Sequence, residues 1–202
     1  MKKYVLTTVC ALFLFSCGKD NPVSQKVKEL KETKDAVSNM SKSAREIQNM
    51  QGDMEKLKEI EPLTNDELKA WLPDDVLGMS RKSFKAGETG FINVSSISAS
   101  YSNEDKSKTF SITVYDGAGE MGALVTAGFR MMIAQDFEEE DENGFKRTSK
   151  KDGKKIIEQF KNGNSEIQLM EGDRFFLEAK GKGMDIDETW KAIEALKLNK
   201  LG

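Results

Sequence analysis

Residues 145–181 read FKRTSKKDGKKIIEQFKNGNSEIQLMEGDRFFLEAKG, and this stretch decides the fold. Three turn signals recur along it: Asp152-Gly153, Asn162-Gly163 and Gly172-Asp173. Asp-Gly and Asn-Gly tolerate the two positive φ angles of a type I′ turn, and Gly-Asp suits a type II′ turn; both twist as paired strands do. The segment therefore predicts a four-stranded antiparallel meander. Upstream, Phe91–Ser102 and Lys108–Asp116 predict a hairpin. In its second strand Phe110, Ile112 and Val114 alternate with Ser111, Thr113 and Tyr115, the period of a half-buried strand. In its first strand Ile92 and Val94 fall in one phase and Ile97, Ala99 and Tyr101 in the other, which predicts a bulge near Ser95-Ser96.

Helices surround these strands. Thr64-Asn65-Asp66-Glu67 has the form of a capping box, with a short helix over 65–72 ended by Pro73. Asp185 and Glu188 form a second box, opening a helix with Ile186, Trp190, Ile193 and Leu196 on one face. A central helix is predicted over 120–134. The fold class that follows is α+β: an antiparallel sheet of about six strands, hairpin plus meander, with helices packed on it. A long N-terminal helical arm precedes it. From Pro22 to Ile60 there is no internal proline, and Val23, Val27, Leu30, Val37, Met40, Ala44, Ile47, Met54 and Leu57 recur at helical spacing. Lys26, Thr33, Gln51 and Lys58 interrupt the heptad, so an autonomous coiled coil is not expected. The arm reads as a solvated stalk or a strip packed on its own domain. The sharper alternative is a protein partner, or self-association, through the 22–60 helix.

The chain has 202 residues, 38% hydrophobic and 32% charged, and contains no histidine. Ser-His-Asp hydrolysis, Cys-His nucleophiles and HExxH zinc sites are excluded on that ground alone. Its two cysteines are Cys10 and Cys17, so the body of the chain offers no disulfide or thiolate cluster.

The first residues form an address. Lys2 and Lys3 precede a nearly uncharged apolar run, Tyr4 to Phe15, which fits the h-region of a secretory signal and falls short of the roughly 20 residues needed to span a bilayer. The run ends in Leu14-Phe15-Ser16-Cys17-Gly18, which resembles the lipobox of bacterial lipoproteins. The resemblance implies that Cys17 carries the lipid, that residues 1–16 are removed, and that the chain is held to a membrane by acyl chains, each buried methylene contributing about 0.8 kcal/mol. Gly18 is not the Asp that retains lipoproteins at the inner membrane, so the resemblance implies a cell-envelope location at the outer membrane. The expected parts are 1–16 signal peptide, 17–61 lipid-anchored arm or stalk, and 62–202 globular domain. Without Lys2 and Lys3 the chain holds 29 basic and 34 acidic residues, a formal charge of −5, which argues against nucleic acid as a partner. The element order over 64–202 resembles the PsbP-like fold and uncharacterised envelope lipoproteins. No motif matches residue by residue, so that likeness brings no functional site.

Candidate chemistry is sparse. Gly117-Ala118-Gly119-Glu120-Met121-Gly122 spells GxGxxG between a strand and a helix, the setting of a dinucleotide fingerprint. A Rossmann strand is buried on both faces, whereas 109–115 alternates, and the acidic run Asp136 to Glu142 that follows the helix cannot be a buried parallel strand. The glycines are expected to serve a strand-to-helix turn. The acidic run lacks calcium-loop spacing and reads as a solvated charge run able to meet Lys146, Arg147, Lys150, Lys151, Lys154 and Lys155. The one SxxK, Ser16 to Lys19, straddles the cleavage site. No catalytic residue, metal ligand or cofactor is assigned. The feature that stands out is the excess of apolar residues on the central helix, which needs cover on two sides: one is the sheet, and the other is either the N-terminal arm of the same chain or a groove for a lipophilic ligand or partner. Met121, Leu124, Val125, Phe129 and Met132 are the candidate binding surface, the methionines suited to a surface that repacks. The expected function is a lipid-anchored envelope binding or scaffolding protein; the alternative is a histidine-free envelope enzyme using carboxylates.

Overall fold

The computed structural model describes residues 48–88 and 94–201. The expected lipid site Cys17 and the arm as far as residue 47 lie outside the described residues. By compactness the chain divides after Ile47, and every described residue belongs to the unit Gln48–Gly202. That unit opens with a helix over 48–58 (α1), then α2 Asn65–Trp71, β1 Asp75–Val76, β2 Met79–Glu88, β3 Ser95–Ser102 and β4 Thr109–Asp116. After α3 Gly119–Ala134 come β5 Glu138–Asp141, β6 Gly144–Lys151, β7 Lys154–Lys161, β8 Asn164–Glu171 and β9 Phe175–Lys182. It closes with α4 Ile186–Ala195 and a 3-10 turn, Leu198–Lys200.

All nine strands form one sheet in the order β1-β2-β3-β4-β9-β8-β7-β6-β5, and each neighbouring pair is antiparallel. The expectation of about six strands is corrected to nine. The predicted six are β3, β4 and β6 to β9; β1, β2 and β5 were not expected. β2 hides because its register shifts between Arg81 and Ser83, which puts Met79 out of phase with Phe84 and Ala86 and erases period-2 alternation. β5 is the acidic run itself, exposed along its whole length. It is an edge strand and has no need of apolar residues, since charge on an edge discourages unwanted pairing. Arg147 of β6 reaches Glu138 at 3.7 Å, Lys161 of β7 reaches Asp141 at 3.3 Å, and Lys155 reaches Asp136 just before β5 at 2.7 Å.

The meander turns follow from their residues. Asp152 and Gly153 have φ of 49° and 78°, and Asn162 and Gly163 of 51° and 75°, the two positive angles of type I′. The third connection differs from expectation: Glu171 pairs with Phe175, leaving a three-residue loop, Gly172 to Arg174, in place of a two-residue type II′ turn. β3 pairs in regular register with β2 over Ser95–Ser100 and with β4 over Ser96–Ser102, so the expected bulge near Ser95-Ser96 does not occur there; the one irregularity lies on β2, opposite Ser100 and Tyr101. Its phase change arises because both faces are covered at that end: Val94, Ser96 and Ile97 are all buried.

One face of the sheet carries the main core. Tyr101, Phe110, Ile112, Val114, Ile167, Leu169 and Leu177 pack there against Leu68 of α2 and Trp190 and Ile193 of α4. Both helices start at complete capping boxes, Thr64 with Glu67 and Asp185 with Glu188. The other face carries a smaller cluster, Ile133 of α3 with Ile157 and Phe176, flanked by Tyr115, Phe129, Phe137 and Met170.

Candidate functional site

α3 follows β4 through Gly117-Ala118, and the geometry there accounts for the GxGxxG spelling. A Cβ on Gly117 would lie 2.5 Å from the Arg174 carbonyl oxygen, and one on Gly122 would lie 2.7 Å from that of Asp116. Gly119 has a φ of +77°, open to glycine at little cost. The strands on both sides of β4 are antiparallel to it, so no parallel crossover forms a nucleotide crevice. These glycines let the helix start pack tightly on the strand that precedes it.

Two long-range clamps fix α3. At its N-terminal end the fully buried Asp116 accepts hydrogen bonds from Arg174 Nε at 2.6 Å and Nη2 at 2.7 Å. It also accepts from the Leu63 amide at 2.8 Å and the Ala118 amide at 3.0 Å. A buried carboxylate is tolerated when its lone pairs are filled in this way. Toward the other end Arg130 donates from Nη1 to Asp53 of α1 at 3.2 Å and from Nη2 to Asp173 in the β8–β9 loop. The end of the arm is thereby bound to α3, with Leu57 buried. Apart from the Ala118 amide, these partners lie 43 to 77 residues apart in sequence, and no local pattern announces them.

Held this way, α3 turns Gly122, Ala123, Thr126 and Ile133 inward. The Thr126 hydroxyl donates to the Gly122 carbonyl at 2.8 Å, so this polar side chain is satisfied where it is buried. Phe129 also faces the sheet, its ring 3.5 Å from that of Phe176 and nearly parallel to it. Of the predicted surface, Phe129 is therefore a sheet contact and Val125 is half-buried. Met121, Leu124 and Met132 are exposed by 40%, 59% and 37%, and Met131, 57% exposed, joins them. The outward face of α3 over 121–132 carries no charged side chain, since Arg130 is turned into its two ion pairs.

Elsewhere the surface offers grooves with charged rims. One of about 720 Å³ lies between α2 and the C-terminal turn, lined by Trp71, Leu196, Lys197 and Leu201 among others. Another of about 730 Å³ lies between the N-terminus of α4 and β6, beside Arg147 and Glu158. Their acids are committed: the Thr64 amide and hydroxyl hold the Glu67 carboxyl below the usual range, and a hydrogen bond from Lys151 does the same for Asp187. Glu158 is buried against Arg147 Nε at 2.7 Å. A general acid at neutral pH needs its pKa raised, and the displaced carboxylates, which include Asp105, Asp136, Asp141 and Glu188, move down. No group of three or more metal-ligating side chains occurs among the described residues, and no described helix is long and apolar enough to cross a membrane.

No family model matches the chain, and no curated protein matches it. Among solved structures it is similar to a GTP binding regulator from Thermotoga maritima, at 12% identity over 66% of this chain and 84% of that one, with a TM-score of 0.33. A likeness of that size carries no argument about this chain.

Proposed function

We propose that this chain is a lipid-anchored binding or scaffolding protein of the cell envelope, held at the outer membrane through Cys17, and that the outward face of α3 is its working surface. The observation that carries this reading is the exposure of Met121, Leu124, Met131 and Met132 on a helix clamped at Asp116 and Arg130. Water contact with each large apolar side chain costs about 1.5–3 kcal/mol relative to burial. A contiguous patch of this kind on a rigid element is how interaction surfaces are built. The anchor supports the same reading, because the Leu14-Phe15-Ser16-Cys17 sequence resembles a lipobox and a protein so held works at a surface.

Two variants test the two halves. Cys17→Ala is expected to leave the chain unlipidated with residues 1–16 uncut or miscut; an alanine variant that still partitions into the detergent phase and runs at the mature size would end the anchor reading. Leu124→Ser with Met131→Ser is expected to leave the circular dichroism and unfolding midpoint unchanged while abolishing association in the envelope. A folded double variant that associates like the parent would remove α3 as the working surface.

A further inference from the structure

Beyond its first residue, Gly119, α3 contains two glycines, one buried and one exposed. Gly122 is explained inside the chain, because a Cβ there would strike the Asp116 carbonyl. Gly128 is not: it sits on the exposed face, and a Cβ there would meet nothing within 4 Å. A glycine inside a helix is less favourable than alanine, and nothing within the described residues offsets that at 128. One use of a glycine that its own chain does not explain is to admit a close neighbour.

The residues around Gly128 make the face self-complementary. Leu124 lies four before it and Met132 four after; Val125 lies three before and Met131 three after. A two-fold axis through Gly128 would bring the Leu124 of one chain onto the Met132 of the other, and Val125 onto Met131, in an antiparallel crossing with no charge opposed at its centre. This is the arrangement an isologous dimer requires.

Resting on the reading of α3 as the working surface, we propose that its occupant is a second copy of this chain, two α3 helices crossing at Gly128. Four large side chains, each 37–59% exposed, offer well under the roughly 800 Å² per partner of a stable interface in solution. The contact is therefore weak for free chains and depends on the raised local concentration of chains tethered to one membrane. Tether and interface act together.

Cysteine crosslinking of the full-length chain in its own membranes tests this. Helix axes about 9–10 Å apart, with Cα atoms about 2.3 Å from each axis, leave the two Gly128 Cα atoms about 4.4–5.4 Å apart, within the disulfide reach of about 4.4–6.8 Å. Within one chain a Cβ at Gly128 meets nothing within 4 Å, so Gly128→Cys leaves the fold intact; Glu104→Cys, exposed in the β3–β4 connection, is the control, with the parent chain reporting any contribution from Cys17. Mild oxidation is expected to give a covalent dimer from Gly128→Cys and little from Glu104→Cys, and Leu124→Lys added to Gly128→Cys is expected to abolish it. An adduct of Gly128→Cys with a different protein would overturn the second-copy proposal and leave the binding-surface reading standing. Absence of any adduct specific to position 128 would overturn both.

Discussion

α4 and α3 lie on opposite faces of one sheet and solve the same problem differently. α4 buries Thr189, Trp190, Ala192 and Ile193 and sends Asp187, Lys191 and Glu194 to solvent, so its apolar surface and its buried surface coincide. α3 buries Gly122, Ala123, Thr126 and Ile133 and still exposes Met121, Leu124, Met131 and Met132. The apolar content of α4 is used up by the core, and that of α3 is not. What remains after the core is satisfied is the part of a helix free to do something else.

The largest effects should mark that difference. Trp190 packs in the main core and donates its indole N–H to Asp152 at 3.0 Å, so Trp190→Ala should cost about 3–5 kcal/mol. Leu124→Ala, at a site 59% exposed, should stay within about 0.5 kcal/mol. Urea unfolding of both variants checks this, and a large loss from Leu124→Ala would show that α3 is part of the core after all. An intermediate effect separates the two faces of α3. Gly122→Ala must displace the Asp116 backbone and should destabilise by about 1–3 kcal/mol, whereas Gly128→Ala has open space and should stabilise by about 0.4–1 kcal/mol. Thermal unfolding of the pair should therefore show shifts of opposite sign.

The smallest effect belongs to the cap of α4. A hydrogen bond from Lys108, then the Asp185 amide, holds the Glu188 carboxyl below its ordinary value of 4.5. A depressed carboxylate adds stability above that ordinary value and loses it as pH falls through the folded-state value. Glu188→Gln should thus be slightly less stable than the parent at pH 7, and the gap should close below about pH 4.5. The side chains are 39% and 44% exposed, so the gap is small. A gap that widens in acid would contradict the assignment.

Much of this architecture was legible because it is locally encoded. Asp152-Gly153 and Asn162-Gly163 fix two hairpins by backbone conformation alone, and Thr64 and Asp185 open their helices by hydrogen bonds three residues long. β2 was not legible because its register shift between Arg81 and Ser83 breaks the alternation on which a strand is recognised. β5 was not because an edge strand carries no apolar requirement. At the site, the surplus of apolar residues on α3 could be counted from the sequence, but not its direction: Phe129 is as apolar as Leu124, and only the stack on Phe176 shows which of them the sheet claims. Asp116 and Arg174 are ordinary charged residues in sequence, and they became a buried clamp only once the β4 end and the β8–β9 loop met.

The central claim is that the outward face of α3 is open within one chain and covered by another body at the membrane. Peroxide oxidation of methionines, read by mass spectrometry of peptides, measures this on the unaltered protein, since sulfoxide formation follows exposure. Met79 and Met184, 5% and 3% exposed, should react slowly both in dilute detergent solution and in intact membranes. Met131, Met132 and Met121 should react fast in dilute detergent and severalfold more slowly in membranes. Equal, fast oxidation of these three in both settings would mean that nothing covers α3, and the account would be wrong.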